Sequence, residues 1–432
     1  MITTIHKGTA HGVITAPPSK SFAHRQLIAA ALSGEECQVS NLELSDDITA
    51  TLECLKALGR RFRLSDGTIT FESGNPVTTN AGPGNANKTN AGTLNADRAN
   101  TSTENAGRAG EIVMPCRESG TTLRFFIPIA LALGGSFLFK GTPRLIERGI
   151  KIYEDLFREQ GVIFNYGTDS IGISGKLKSG TFRVDATVSS QFISGLLYAM
   201  PLIEGQSSIK LEGRTESRMY IEMTLRTLKQ YGICLSGYTE NSIAIRGKQK
   251  YMAVDSRVEG DYSNAAFFAA LNLMGGNVTI EGLSDESIQG DRRYAEFFRK
   301  LKEGTPQIDI SDQIDLGPIL FAMAAYLNGA AITGTRRLAI KESDRVKDML
   351  FELSKFGVES QVGENHVEIK KCRLHKPAEP LHGHNDHRIV MSLAVLLTAF
   401  GGSIEGSEAV NKSFPSFFEK LEKTGIKVEN YA

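Results

Sequence analysis

The chain has 432 residues, 41% of them hydrophobic, enough to bury two sizeable cores. Lys plus Arg and Asp plus Glu balance at 49 each, which excludes a general electrostatic footprint for DNA, RNA or an anionic membrane and leaves only local charged sites. The opening stretch MITTIHKGTAHG lacks the apolar core of a signal peptide, and the five cysteines (Cys37, Cys54, Cys116, Cys234, Cys372) form no C-x-x-C pair, so a soluble cytoplasmic protein with reduced thiols and no metal is expected.

Along the chain, six runs open on a small or polar residue, continue as mostly apolar sequence and stop near a glycine. The first is SFAHRQLIAAALSG (21–34), followed by the amphipathic DDITATLECLKALG. Residues 75–110 then interrupt the pattern with Asn, Ala, Gly and Thr, in which Asn-Ala-Gly recurs; such composition buries too little apolar surface to offset its ordering entropy, and a flexible surface loop is expected. The later runs are GTTLRFFIPIALALGG (120–135), SQFISGLLYAMPLIEG (190–205), SNAAFFAALNLMGG (263–276), LGPILFAMAAYLNG (316–329) and HRIVMSLAVLLTAFGG (387–402), each with its own amphipathic partner such as MYIEMTLRTLKQYG. Every unit is predicted to carry one buried and one half-exposed helix. β-rich pieces such as SFLFKG, SSIKLEG and NVTIEGL lie between them, so a six-fold α/β repeat is expected, divided three plus three. The interval after the fourth run is short, which predicts a repeat that has lost a strand pair near residues 302–310.

Polar and charged residues gather at the starts of the buried helices, where unpaired N–H groups attract anions. Lys20, Ser21 and Arg25 open the first; Gly120, Thr121 and Arg124 the second; Ser189, Ser190 and Gln191 the third; His387 and Arg388 the sixth. Isolated serines and threonines there also serve as ordinary caps, but their repetition beside basic residues favours a shared anion site. KESDR places Lys341, Glu342 and Arg345 in one turn, and NKSFP supplies Lys412. The phosphate-loop, dinucleotide, zinc-protease and serine-hydrolase motifs are all missing from the sequence. Residue chemistry alone thus reaches an enzyme or binder of small polyanions in an interdomain cleft.

PSKS with Arg25, SGTTLRFF, PRLIER, SSQ, GDYSNAA, KESDR, NDHR and KSFP together resemble the EPSP synthase family of enolpyruvyl transferases, over nearly the whole chain outside 75–110. The resemblance implies two domains of three βαβαββ units each, 19–258 forming one and 1–18 with 259–432 the other. It implies transfer of the enolpyruvyl group of phosphoenolpyruvate to the 5-hydroxyl of shikimate 3-phosphate, without a cofactor, most simply by a monomer. By position, Lys20, Ser21, Arg25, Ser189, Ser190, Gln191, Ser217, Tyr220, Asp315 and Lys341 would hold shikimate 3-phosphate. Lys20, Gly120, Arg148, Gln191, Arg345, Arg388 and Lys412 would hold phosphoenolpyruvate. Asp315 would take the hydroxyl proton, and Glu342 with Lys20 would move protons at the enolpyruvyl group.

Three positions depart from the family's commonest pattern. Glu118 stands where many relatives have Asn, Arg337 where some have Asn, and Gly149 where proline often follows the arginine. Glu118 is expected to turn toward a cation such as Arg124. A UDP-N-acetylglucosamine enolpyruvyl transferase would share the repeat, but KESDR and SSQ favour the shikimate substrate. A silent anion binder would have little need for Asp315 and Glu342. With many cations in one cleft, the halves are expected to repel each other until a polyanion joins them.

Overall fold

The computed structural model describes residues 1–74 and 110–431, so the 75–110 tract lies outside the described residues apart from Gly110. All six apolar runs form helices: Lys20–Ser33, Gly120–Leu133, Ser190–Ala199, Tyr262–Leu273, Gly317–Tyr326 and His387–Phe400. They are buried almost all round, including both faces of the alanine-rich segment Ile28–Ala31. Burying each Leu, Ile or Phe side chain in these helices contributes roughly 1.5–3 kcal/mol. Amphipathic partners such as Arg218–Gln230 and Tyr294–Glu303 cover the cores with one face and meet solvent with the other.

The strands form five four-stranded sheets and one two-stranded sheet among the described residues. The third unit shows the plan. Thr181–Asp185 runs parallel to Gln206–Glu212, which pairs antiparallel with Ser242–Arg246, and that strand pairs with Leu235–Thr239. With the helices between them the order is β-α-β-α-β-β, a mixed α/β repeat as expected. The fourth unit has only Asn277–Glu281 beside His11–Thr15, and only three residues separate its helix end at Glu303 from the next strand at Gln307, too few for a hairpin. The lost strand pair foreseen from the spacing is therefore real.

Three sheets are completed by chain from elsewhere in the sequence. Ile2–Ile5 sits between Gly402–Glu405 and Val428–Tyr431. His11–Thr15 runs parallel to Asn277–Glu281, while Ser256–Arg257 joins Cys37–Ser40 in the first unit. Two separate hydrophobic clusters result, one built from residues between Phe22 and Val258, the other from Ile5 to Ile14 with Ala266 to Val428. The two connections between them lie side by side, bridged at Pro18 and Gly260.

The second and third helices pack against each other at Gly195. A β-carbon there would overlap the Arg124 carbonyl and the Tyr153 hydroxyl, whose single proton is shared between the carbonyls of Arg124 (2.7 Å) and Phe192 (3.0 Å). Gly195→Ala is therefore expected to cost about 1–3 kcal/mol through overpacking. Urea denaturation measures it, and an unchanged midpoint would contradict this packing.

Candidate active site

The amino ends of the buried helices converge between the two cores. A cavity there is lined by Lys20 and Ser21, Gly120 and Thr121, Ser189 to Gln191, Asp315 just before the fifth helix, and His387 and Arg388. The fourth helix contributes Ser263 to an adjoining cavity that shares Lys20, Ser21, Tyr220, Asp315 and Arg388. Helix dipoles from both halves thus favour anions at one place. Caps are present as well: Ser119, Ser189, Asp261 and Asp386 accept from backbone N–H groups of their helices. Ser189 both caps and lines the cavity, whereas Ser190 lines it without capping.

Every residue singled out from the sequence as catalytic or substrate-binding lines the main cavity except Lys412. On the side of the second core, Arg345 is the hub. It is 1% exposed and donates to Asp386 Oδ2 (2.7 Å), Asp315 Oδ1 (2.9 Å) and Glu342 Oε2 (2.6 Å). Asp315 also meets Lys341 at 3.2 Å and Arg388 at 3.3 Å. Burial alone would raise the Asp315 carboxyl, but Arg388, Lys341 and Arg345 outweigh it and hold it well below the usual range. Glu342 is likewise raised by burial and driven down further by the cations Arg345, Arg148 and Lys341. Burial lowers the Lys341 ammonium despite its pairing with Asp315.

On the side of the first core, Arg25 lies 5.3 Å from the Phe125 ring centre and 5.9 Å from that of Tyr220, and donates to the carbonyls of Ser21 (2.7 Å) and Tyr220 (2.9 Å). Gln191 accepts from Arg124 at 2.6 Å and donates to Thr121 at 2.9 Å. Arg148 passes so close to Gly120 that a β-carbon there would stand 2.9 Å from its Nη2. Gly149 adopts φ 70°, a conformation proline cannot reach, so glycine is what shapes the loop behind Arg148.

Three further titratable residues line the cavity that the catalytic and substrate-binding assignments left out. Asp47 ion-pairs with Lys20 at 2.8 Å. His387 lines the cavity with neither ring nitrogen partnered, and burial with Lys20 and Arg388 nearby keeps it neutral by lowering its pKa well below the usual value. Arg337 reaches across from the second core, with Nε 2.6 Å from Glu216 and Nη1 donating to Ser217 at 3.0 Å. Its departure from the family pattern was the only available signal.

Glu118 corrects an expectation. Its carboxylate meets Lys412, not Arg124, and accepts from Asn385 at 3.1 and 3.3 Å. Arg124 is occupied by Gln191 and by the Phe192 ring, 5.1 Å away. Lys412 also donates to the Asn385 carbonyl at 2.6 Å, which places it outside the cavity lining. The halves touch through Glu118 with Lys412, Arg337 with Glu216, and Tyr220 with Asp291 and Asp315. Asp47, Asp315 and Glu342 stand among the cavity cations and pair with Lys20, Lys341 and Arg345.

A sequence model described as EPSP synthase (3-phosphoshikimate 1-carboxyvinyltransferase) matches residues 6–96 and 91–421. A protein of Clostridium kluyveri named 3-phosphoshikimate 1-carboxyvinyltransferase is 35% identical, over 99% of this chain and 98% of that protein. A Brachyspira hyodysenteriae protein of the same name is 38% identical, over 74% of this chain and 80% of its own length. The fold matches a solved structure of EPSP synthase from Acinetobacter baumannii with TM-score 0.72 at 22% identity, covering 99% of this chain and all of that one. No helix among the described residues is long and apolar enough to cross a membrane. With that model matched over most of its length and a relative 35% identical from end to end, the chain belongs to the EPSP synthase family.

Proposed function

We infer that the chain transfers the enolpyruvyl group of phosphoenolpyruvate to the 5-hydroxyl of shikimate 3-phosphate, releasing phosphate, as a step of the shikimate pathway. The observation that carries this reading is the junction of helix amino ends and cations around two carboxylates, Asp315 and Glu342. Both substrates are small polyanions. Lys20, Ser21, Arg25, Ser189, Ser190, Gln191, Ser217, Tyr220, Asp315 and Lys341 hold shikimate 3-phosphate; Lys20, Gly120, Arg148, Gln191, Arg345, Arg388 and Lys412 hold phosphoenolpyruvate, with Lys412 released from Glu118. Asp315 takes the hydroxyl proton, and Glu342 with Lys20 handles protons at the enolpyruvyl carbons and bridging oxygen. The cations that depress the two carboxylates are the ones the substrate anions engage. Added negative charge raises nearby acids, so Asp315 and Glu342 become better bases once both substrates are seated.

The two cores act as domains, 19–258 and 1–18 with 259–432, in a cytoplasmic monomer. Phosphate release with phosphoenolpyruvate and each of two acceptors tests the reading: turnover is expected with shikimate 3-phosphate and none with UDP-N-acetylglucosamine. The reverse preference would overturn it.

A further inference from the structure

We propose that Asp291 is the far end of a proton relay that runs from Asp315 through the Tyr220 hydroxyl, and that it stores the proton taken from the acceptor's hydroxyl. The proposal rests on the reaction inferred above. Tyr220 Oη lies 3.3 Å from Asp291 Oδ2 and 3.3 Å from Asp315 Oδ2. A phenol has one proton, so it donates to one carboxylate and accepts from the other when that one is protonated. The two carboxyls differ sharply in their surroundings. Asp315 is crowded by Lys341, Arg345 and Arg388 and is a poor keeper of a proton. Asp291 is 4% exposed, its Oδ1 has no hydrogen-bond partner, and it borders a second cavity beyond Tyr220. The charged and titratable groups around it are Asp315 from the turn before the fifth helix, Asp261 from the cap of the fourth, Arg388 from the sixth, Tyr220, and Lys20 across the cavity. Burial, then Asp315, push the Asp291 carboxyl up to about 7 against the pull of Arg388. A pair of carboxyls with such divided environments has a resident acid and a resident base.

The step balances with one proton. The O–H bond of the acceptor breaks as one forms at Asp315. Asp315 Oδ2 passes that proton to Tyr220 Oη while Tyr220 passes its own to ionised Asp291, and the sequence reverses when the proton leaves with the phosphate. When Asp291 is already protonated the relay is full, and Asp315 must hold the proton against three cations. Asp291 stands outside the lining of the main cavity and acts through Tyr220.

The test is the pH profile of kcat, measured by phosphate release from saturating phosphoenolpyruvate and shikimate 3-phosphate. In the unsubstituted protein kcat is expected to rise with pH through an apparent pKa near neutrality, as Asp291 ionises. Asp291→Asn removes that limb and lowers kcat at high pH at least about tenfold, with KM for both substrates little changed. Tyr220→Phe breaks the relay with Asp291 in place and loses the same limb, which keeps the test decisive should Asp291→Asn fold poorly. A limb that survives in either folded variant, or a loss of rate equal at every pH, overturns the relay and leaves the inferred reaction standing. Absence of turnover in the unsubstituted protein overturns both.

Discussion

Glu342→Gln is expected to lower kcat at least about 100-fold, the low end for a positioned acid–base group, while shikimate 3-phosphate binds nearly as before. Glutamine keeps the size of the side chain and an oxygen that accepts from Arg345, whose Nη2 lies 2.6 Å from Glu342 Oε2. It removes a carboxylate that lies near Arg148 and His387 as well as Arg345. Two measurements separate chemistry from binding: steady-state phosphate release for kcat, and calorimetric titration of shikimate 3-phosphate for affinity. Turnover within a few-fold of normal would remove Glu342 from the mechanism.

Arg345→Met is expected to fail in both stability and turnover. Arg345 and Asp386 are 1% and 0% exposed, and their pair is closed by a 2.7 Å contact and a second one of 3.3 Å. Taking away the guanidinium leaves Asp386 buried without its cation and frees Asp315 and Glu342 to repel each other. Breaking a buried pair from one side costs about 3–5 kcal/mol. Asp386 still accepts from the Arg388 N–H and the Ser343 hydroxyl, so the lower part of that range is expected. Urea unfolding gives the number. A loss below about 1 kcal/mol would show that the pair is solvated despite its burial.

The repeat was legible because its signals are local. Apolar runs closed by glycine, each followed by an amphipathic run, became the six buried helices and their partners, and the short interval near 302–310 became a unit without a hairpin. The clustering of Lys20, Gly120, Ser190 and Arg388 at helix starts likewise foretold a cavity at those ends. What stayed hidden depends on pairing across the chain. Nothing in the segment around Ser256 shows that it lies beside Cys37–Ser40. Glu118 was matched with a cation six residues away, when its true partner comes from the opposite half, almost three hundred residues on. Asp47 and Asp291 were invisible for the same reason: an acid at a helix start reads as a cap or a solvated charge until the fold brings Lys20 or Tyr220 to it.

Phosphorus NMR of a mixture of the protein, phosphoenolpyruvate and shikimate 3-phosphate tests the central claim most directly. The phosphoenolpyruvate resonance is expected to fall as inorganic phosphate grows, with one shikimate 3-phosphate resonance replaced by one new phosphate monoester for each phosphate released. Phosphate without the new monoester, or a spectrum that stays unchanged, would contradict enolpyruvyl transfer in this cavity.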